Sequence, residues 1–254
     1  MDPFGPEKYF YLIRIQFLGF RYHGWQKQPG VKTIQGMVEK TIHYVLGRDA
    51  KFKVLGASRT DAMVSAEDFP FELFINQELE DSFLQEFDNN LPSDIHALSI
   101  ETVSAEFNII QDVTMKEYHY HFSCAENKNP FRASFDTHIA SELNILQMKR
   151  GAEIFQGEHN FTSYSYPHEP GVCKERIVDE CNVSESNNPD GYIFKVKSKG
   201  FMRHQMRYMM GALFEVGKGN LTLIELKDSL SDNSSSVLPP KAPASGLRLF
   251  RVQY

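Results

Sequence analysis

From Tyr9 to Phe17 the chain sets Leu12 beside Ile13, Ile15 and Phe17 against Arg14 and Gln16, the alternation of a half-buried strand. A polar and aromatic loop, Gly19–Gly30, follows. Thr33 then reads as the N-cap of a helix whose apolar residues, Ile34, Met37, Val38, Ile42 and Val45, recur at helical spacing up to a stop at Gly47. Strands are predicted at Lys51–Ser58 and Phe69–Ile75. A helix carrying Leu79, Phe83, Leu84 and Phe87 precedes Leu91-Pro92, and a strand runs from His96 to Val103.

The second half repeats this grammar loosely. Between Val113 and Ser123, Tyr118, Tyr120 and Phe122 share one strand face and Glu117, His119 and His121 the other. A helix is expected over about Asn144–Phe155. Strands at Lys174–Ser184 and Tyr192–Ser198 flank a turn at Asn187–Gly191. Helices at His204–Val216 and near Leu221–Leu230, a polar loop at Ser231–Ser236 and a closing strand from Leu247 to Tyr254 complete the series. Two strand-helix-strand-strand-helix-strand runs predict an α+β fold of two halves, each an antiparallel sheet covered by helices on one face. The joint falls near Ser104–Asp112, giving halves of 1–107 and 108–254.

Composition narrows the class. With 254 residues, 41% hydrophobic and 13% aromatic, the chain can bury a substantial core. No apolar run approaches the roughly 18–20 residues that span a bilayer, and Met1–Pro6 lacks the regions of a signal peptide. Cys124, Cys173 and Cys181 form no Cys-x-x-Cys pair, which argues for a reducing cytoplasm and against structural zinc. The net charge of −6 argues against nucleic acid, but binding depends on where cations cluster. Between Lys195 and Arg207 there are five cations, Lys195, Lys197, Lys199, Arg203 and Arg207, and no acid.

Candidate chemistry concentrates in few places. Gly56–Ala66 closes an apolar strand and sets Asp61 two residues after Arg59 among small side chains, an arrangement suited either to a site or to a surface ion pair. Arg203 and Arg207, at helical i, i+4 spacing, can hold phosphates or reach a carboxylate; the alternative is a solvated surface. Trp25 sits beside Arg21, Tyr22, His23 and Lys27, a mixture suited to stacking and phosphate contacts, or else it is simply buried. Tyr118 can stack on a flat ligand or belong to the core. His119 and His121 lack a third metal ligand at suitable spacing. There is no Gly-x-Ser-x-Gly elbow and no glycine-rich phosphate loop.

Six motifs in order resemble the tRNA pseudouridine synthases of the TruA type. They are Tyr22-His23-Gly24-Trp25-Gln26-Lys27-Gln28, Arg59-Thr60-Asp61-Ala62, Tyr118-His119-Tyr120, the run from Phe155 through Gly157 and His159-Asn160-Phe161, the spacing Phe201, Arg207, Gly211 and Leu213, and Ala242–Leu247. The resemblance covers nearly the whole chain. It implies a pseudouridine synthase fold in which the antiparallel sheets of the two halves meet at a central cleft, with no cofactor and no metal, and a cytoplasmic homodimer acting on tRNA, on anticodon stem-loop uridines. It further implies that Asp61 is the catalytic aspartate, that Arg59 helps open the helix or holds the target base out, that Arg207 pairs with Asp61, that Tyr118 stacks on uracil and that Leu247 lines the pocket. Arg21, Tyr22, Lys27, Lys199, Arg203 and His204 are the expected RNA contacts. The target base must leave its stack to reach the carboxylate.

Two stretches depart from the family pattern. Where it continues Ala-Gly-Val-His-Ala, this chain has Ala62-Met63-Val64-Ser65-Ala66, losing a flexible glycine and a polar ring beside the aspartate; Asn108-Ile109-Ile110 replaces the usual His-Ala-Arg. The retained Arg59, Asp61, Tyr118 and Arg207 predict an active enzyme, with Met63 and Ser65 the positions where a changed RNA target would originate. A noncatalytic RNA-binding or RNA-chaperone protein on the same fold is the alternative.

Overall fold

The alternation in β1 (Tyr9–Phe17) places it in the middle of an antiparallel sheet. In the computed structural model the described residues are 8–124, 128–165, 174–188, 190–231 and 239–254. They group into two compact units, Met1–Thr114 with Leu249–Tyr254, and Met115–Arg248.

In the first unit β1 is followed by α1 (Ile34–Leu46), β2 (Phe52–Gly56), β3 (Ser65–Ile75), α2 (Phe83–Asn90) and β4 (Ile95–Thr102). The order across the sheet is β4-β1-β3, with β2 also on β3. Ile13 lies opposite Phe71 and Ile15 opposite Phe69, all with 0% exposure. Burying a side chain of this size contributes about 1.5–3 kcal/mol, so this row is a large part of what holds the sheet. Ile34, Val38 and Ile42 of α1 and Phe87 of α2 are equally buried. Thr33 Oγ1 accepts from Gly36 N at 3.2 Å, and Gly47 ends the helix with φ 94°. On the opposite sheet face Arg14 donates to Asp68 at 2.8 Å, while Glu72 is 2% exposed and burial raises its pKa.

The second unit runs β5 (Met115–Ser123), β6 (Thr137–His138), α3 (Ile145–Ile154), β7 (Gly157–Asn160), β8 (Glu175–Val178), β9 (Glu180–Glu185), β10 (Gly191–Ser198), α4 (Gln205–Gly217) and α5 (Leu223–Asp228). β5 pairs antiparallel with β10, and β10 with β9; β6 adds to β5 in parallel, and β7 and β8 form a separate hairpin-like pair. α4 is buried on nearly every side because it lies against the aromatic face of β5, with Phe214 against Tyr120 and Phe122. α5 starts with a capping box between Thr222 and Glu225. The last strand, β11 (Leu247–Gln253), lies beside β3.

The single strand expected over Lys174–Ser184 is two. The break is Asp179, whose N–H donates to Lys197 O at 2.9 Å while the residues before it pair with β7 and those after it with β10. β3 begins at Ser65, four residues before the predicted Phe69, because Phe17 of β1 reaches Ala66 across a register shift. Of the segments named from the sequence, Met1–Pro6, Cys173, Pro189 of the 187–191 turn and most of the Ser231–Ser236 loop lie outside the described residues. No helix among the described residues is long and apolar enough to cross a membrane.

Candidate active site

In the first unit the loop between β2 and β3 presents Asp61. Asp61 O accepts from Val64 N at 3.2 Å, closing a four-residue turn, and Met63 N donates to Tyr22 O at 3.0 Å. On the other side of the aspartate, Thr60 O accepts from Trp25 N at 3.3 Å. The turn is therefore pinned to the Gly19–Gly30 loop on both flanks of Asp61. Asp61 is half-buried and Arg59 exposed. Gly24 makes this contact possible: its φ is +83°, and a Cβ there would stand 2.3 Å from Thr60 O.

The two departures beside Asp61 have separate consequences. Met63, third in the turn, has φ 69°, the sign that a type II turn requires at that place and that glycine adopts without cost. A non-glycine residue there carries about 1–2 kcal/mol of strain. Met63→Gly is expected to raise stability by about 1 kcal/mol, seen as a higher urea midpoint; a lower midpoint would contradict the strain. Ser65 is 5% exposed and its Oγ accepts from Gly19 N at 2.9 Å. The short side chain suits a backbone contact so close that a Cβ on Gly19 would stand 1.9 Å from Val64 O.

Tyr22 and Trp25 are packed inside the unit, at 2% and 3% exposure, Trp25 with its ring 4.3 Å from that of Phe69. The Tyr22 hydroxyl donates to Asp94 Oδ1 at 2.7 Å, and Arg21 Nη2 to Asp94 Oδ2 at 2.6 Å. Lys27 pairs with Glu39 at 2.6 Å. Asp94 was not legible as part of this loop, being 72 residues away in sequence from Tyr22. Burial acts to raise the Asp94 pKa, but the hydrogen bonds from Tyr22 and Arg21 outweigh it and hold the carboxyl below its ordinary value. With the folded pKa below the unfolded one, this stabilisation is complete above about pH 4 and is lost as pH falls through the folded value. Asp94→Ala, which strands the buried Tyr22 hydroxyl, is expected to cost about 1–3 kcal/mol at pH 7. Urea unfolding at pH 7 and pH 3 should show the wild-type advantage shrinking at the lower pH.

In the second unit Tyr118 is 7% exposed, with Phe201 edge-on at 5.3 Å. Arg207 Nε donates to Ala242 O at 2.8 Å, and Ala242 N returns a bond to Arg207 O at 3.0 Å. The neighbouring residues are clamped as well. Tyr120 shares a hydrogen bond with Pro243 O at 2.8 Å, His121 N donates to Gly246 O at 2.8 Å, and a Cβ on Gly211 would meet Pro240 O at 1.6 Å. Leu247, 5% exposed, follows directly from this clamp. The structure thus brings Arg207, Tyr120 and the 242–247 segment together in one unit, and Arg59, Asp61, Tyr22 and Trp25 in the other.

The basic stretch differs from its sequence reading in two ways. Arg203 lies ahead of α4, because His204 takes φ 63° and the helix starts only at Gln205; the i, i+4 relation with Arg207 does not hold. Gln205 Oε1 accepts from Met202 N at 2.8 Å, tying down this start. The window 195–207 contains no acid, yet neighbouring strands supply two: Lys197 pairs with Glu180 at 2.5 Å, and Lys195 lies 3.8 Å from Glu117. Lys199 and Arg203 are exposed and His204 half-buried. No group of three or more His, Cys, Asp or Glu suited to a metal occurs among the described residues.

Residues 152–254 match the family described as tRNA pseudouridine synthase. Similar proteins include a tRNA pseudouridine synthase A 2 of Bacillus thuringiensis subsp. konkukian, 30% identical over 96% of this chain and 99% of its own length. A tRNA pseudouridine synthase A of Shouchella clausii is 29% identical over 95% of this chain and 92% of its own. One from Streptococcus pyogenes serotype M49 is 29% identical over 96% and 98%.

Proposed function

The chain belongs to the tRNA pseudouridine synthase family, and from that membership we infer that it isomerises uridine to pseudouridine in tRNA with Asp61 as its catalytic carboxylate. The observation that carries the assignment to Asp61 is its turn, held on both flanks by backbone bonds to the Gly19–Gly30 loop, which presents a half-buried carboxylate at a strand end. A group fixed in this way can act without first paying to be ordered.

The reaction breaks the bond from N1 to C1′, turns the uracil, joins C5 to C1′, releases the C5 proton and returns a proton to N1. Electrons balance without a redox partner. An ionised carboxylate can drive it by attacking C1′ or by taking a proton from C2′. Tyr118 supplies a face for the uracil, Leu247 an apolar wall, and Arg207, anchored through Nε to Ala242 O, a fixed guanidinium. Arg59 holds the base out of its stack. Arg21, Lys27, Lys199, Arg203 and His204 meet the RNA backbone, with Tyr22 supporting Arg21 through Asp94. The active form is a cytoplasmic homodimer, and the targets are anticodon stem-loop uridines.

Unmodified tRNA transcripts incubated with the chain and mapped for pseudouridine test this reading. Gains confined to the anticodon stem-loop are expected; gains elsewhere would reject the target, and no gain would reject the activity. The strained Met63 favours one other reading, a noncatalytic tRNA-binding protein. It would show as tight tRNA binding by the wild type with no pseudouridine formed, and as the same result for Met63→Gly.

A further inference from the structure

The second unit has a cavity of about 370 Å³ that the residues discussed above do not use. Its lining includes His121, Arg132, Asp136, Arg248, Phe131 and Phe135. We propose that this cavity is a separate nucleotide-binding site, which takes one unpaired nucleotide of the bound RNA. The RNA source rests on the function proposed above, whereas the fit to a nucleotide rests on the cavity alone.

Three observations point to this ligand. First, the aromatic side chains stand outward. Phe131, raised on the one-turn helix Pro130–Arg132, is 91% exposed and Phe135 is 47% exposed. Exposed rings beside cations suit a base and its phosphate, because every base has a face to stack. Second, the cations are held in place. Arg248 Nη2 donates to Phe135 O at 2.9 Å with its guanidinium 5.9 Å from the Phe135 ring centre, and Arg132 donates to Asp136 Oδ2 at 2.7 Å. Third, two buried polar atoms, His121 Nε2 and Asp136 Oδ1, have no hydrogen-bond partner among the described residues.

Both residues line the cavity, and each comes one residue before the register pair Phe122 of β5 and Thr137 of β6. Burial, then the charges of Arg248, His119 and Arg132, push the His121 pKa down to about 3, so the ring is neutral and either tautomer is available to Nε2. The hydrogen-bonding edge of each RNA base presents a donor beside an acceptor. Asp136 Oδ1 would take the donor and His121 the acceptor, which fits nucleotides as a class without selecting one. A bare phosphate fits less well, since it would be buried against the Asp136 carboxylate and leave the rings unused. An apolar protein side chain would leave both polar atoms unpaired.

Titration of the full chain with adenosine 5′-monophosphate, followed by NMR or calorimetry, tests the site. Binding is expected to be about tenfold weaker in Phe131→Ala, the loss of one stacking ring, and similarly weakened in Arg248→Gln. Phe131 is exposed enough that its replacement leaves the fold intact, which an unchanged urea midpoint verifies. Asp61→Asn should leave this binding unaltered, so failure of the proposed activity and failure of this site are separate results. A tRNA transcript should displace the nucleotide, as an RNA-borne ligand requires. Absence of binding, equal binding of inorganic phosphate alone, or unaltered affinity in Phe131→Ala would overturn the proposal. Binding that tRNA leaves untouched would overturn the RNA source in favour of a free nucleotide. Conversion of a dimer to a monomer by Phe131→Ala, with no nucleotide bound by the wild type, would assign the face to a second copy of the chain instead.

Discussion

Asp61→Asn is expected to abolish pseudouridine formation, with a rate loss of at least about 10³-fold, while tRNA affinity stays within a few-fold of wild type. The amide keeps the size and shape of the carboxylate but can neither attack C1′ nor take a proton, and a group in either role contributes about 10²–10⁴-fold or more. The turn should survive, because its bonds at Val64 N, Met63 N and Thr60 O involve main-chain atoms only. Single-turnover rates with the chain in excess over tRNA, together with filter binding, separate the two effects. A variant that loses affinity in step with rate would place Asp61 among the RNA contacts and take the chemistry away from it.

Gly24→Ala is the second large effect, and it acts without touching the reacting groups. An added Cβ at φ +83° would lie 2.3 Å from Thr60 O and 3.1 Å from Asp61 C, so the backbone that carries the carboxylate must move. Strain at the positive φ and the forced shift together should cost about 2–4 kcal/mol. A displacement of about 1 Å at a catalytic group can cost roughly 10²-fold in rate. Gly30→Ala is the control. Its φ is +75°, but nothing lies within 4 Å of the added Cβ, so it carries the φ cost alone and should keep its rate. Equal rates for Gly24→Ala and Gly30→Ala would show that the loop contact does not position Asp61.

How much of this was legible in the sequence depended on whether neighbours in space were also neighbours in the chain. α1 could be read from end to end because Thr33, Ile34, Val38, Ile42 and Gly47 carry its cap, its buried stripe and its stop within one short window. The two faces of β5 could be read for the same reason. The first residues of β3, Ser65-Ala66-Glu67-Asp68, have no alternation of their own and become a strand only because β1 pairs with them. Lys195 and Lys197 looked unopposed because Glu117 and Glu180 reach them from other strands.

The candidate site followed the same rule. Asp61 and Arg59 were marked by a contiguous motif, whereas the partners that hold the loop came from elsewhere: Gly24 against Thr60, Ser65 against Gly19, and Asp94 beneath Tyr22 and Arg21. The missing glycine at Met63 was visible in sequence, but its left-handed backbone was not. His204 likewise hid its positive φ, which ends the helical spacing assumed for Arg203 and Arg207.

The reaction discards one hydrogen, the one on C5 of the target uracil, and that offers the most direct test of the proposed activity. Unmodified tRNA carrying tritium at C5 of uridine is incubated with the purified chain, and tritium released to water is counted over time. Release reaching about one equivalent per target uridine with the wild type, and none with Asp61→Asn, is the expected result. No release from the wild type, or equal release from Asp61→Asn, would contradict the claim that this chain isomerises tRNA uridine through Asp61.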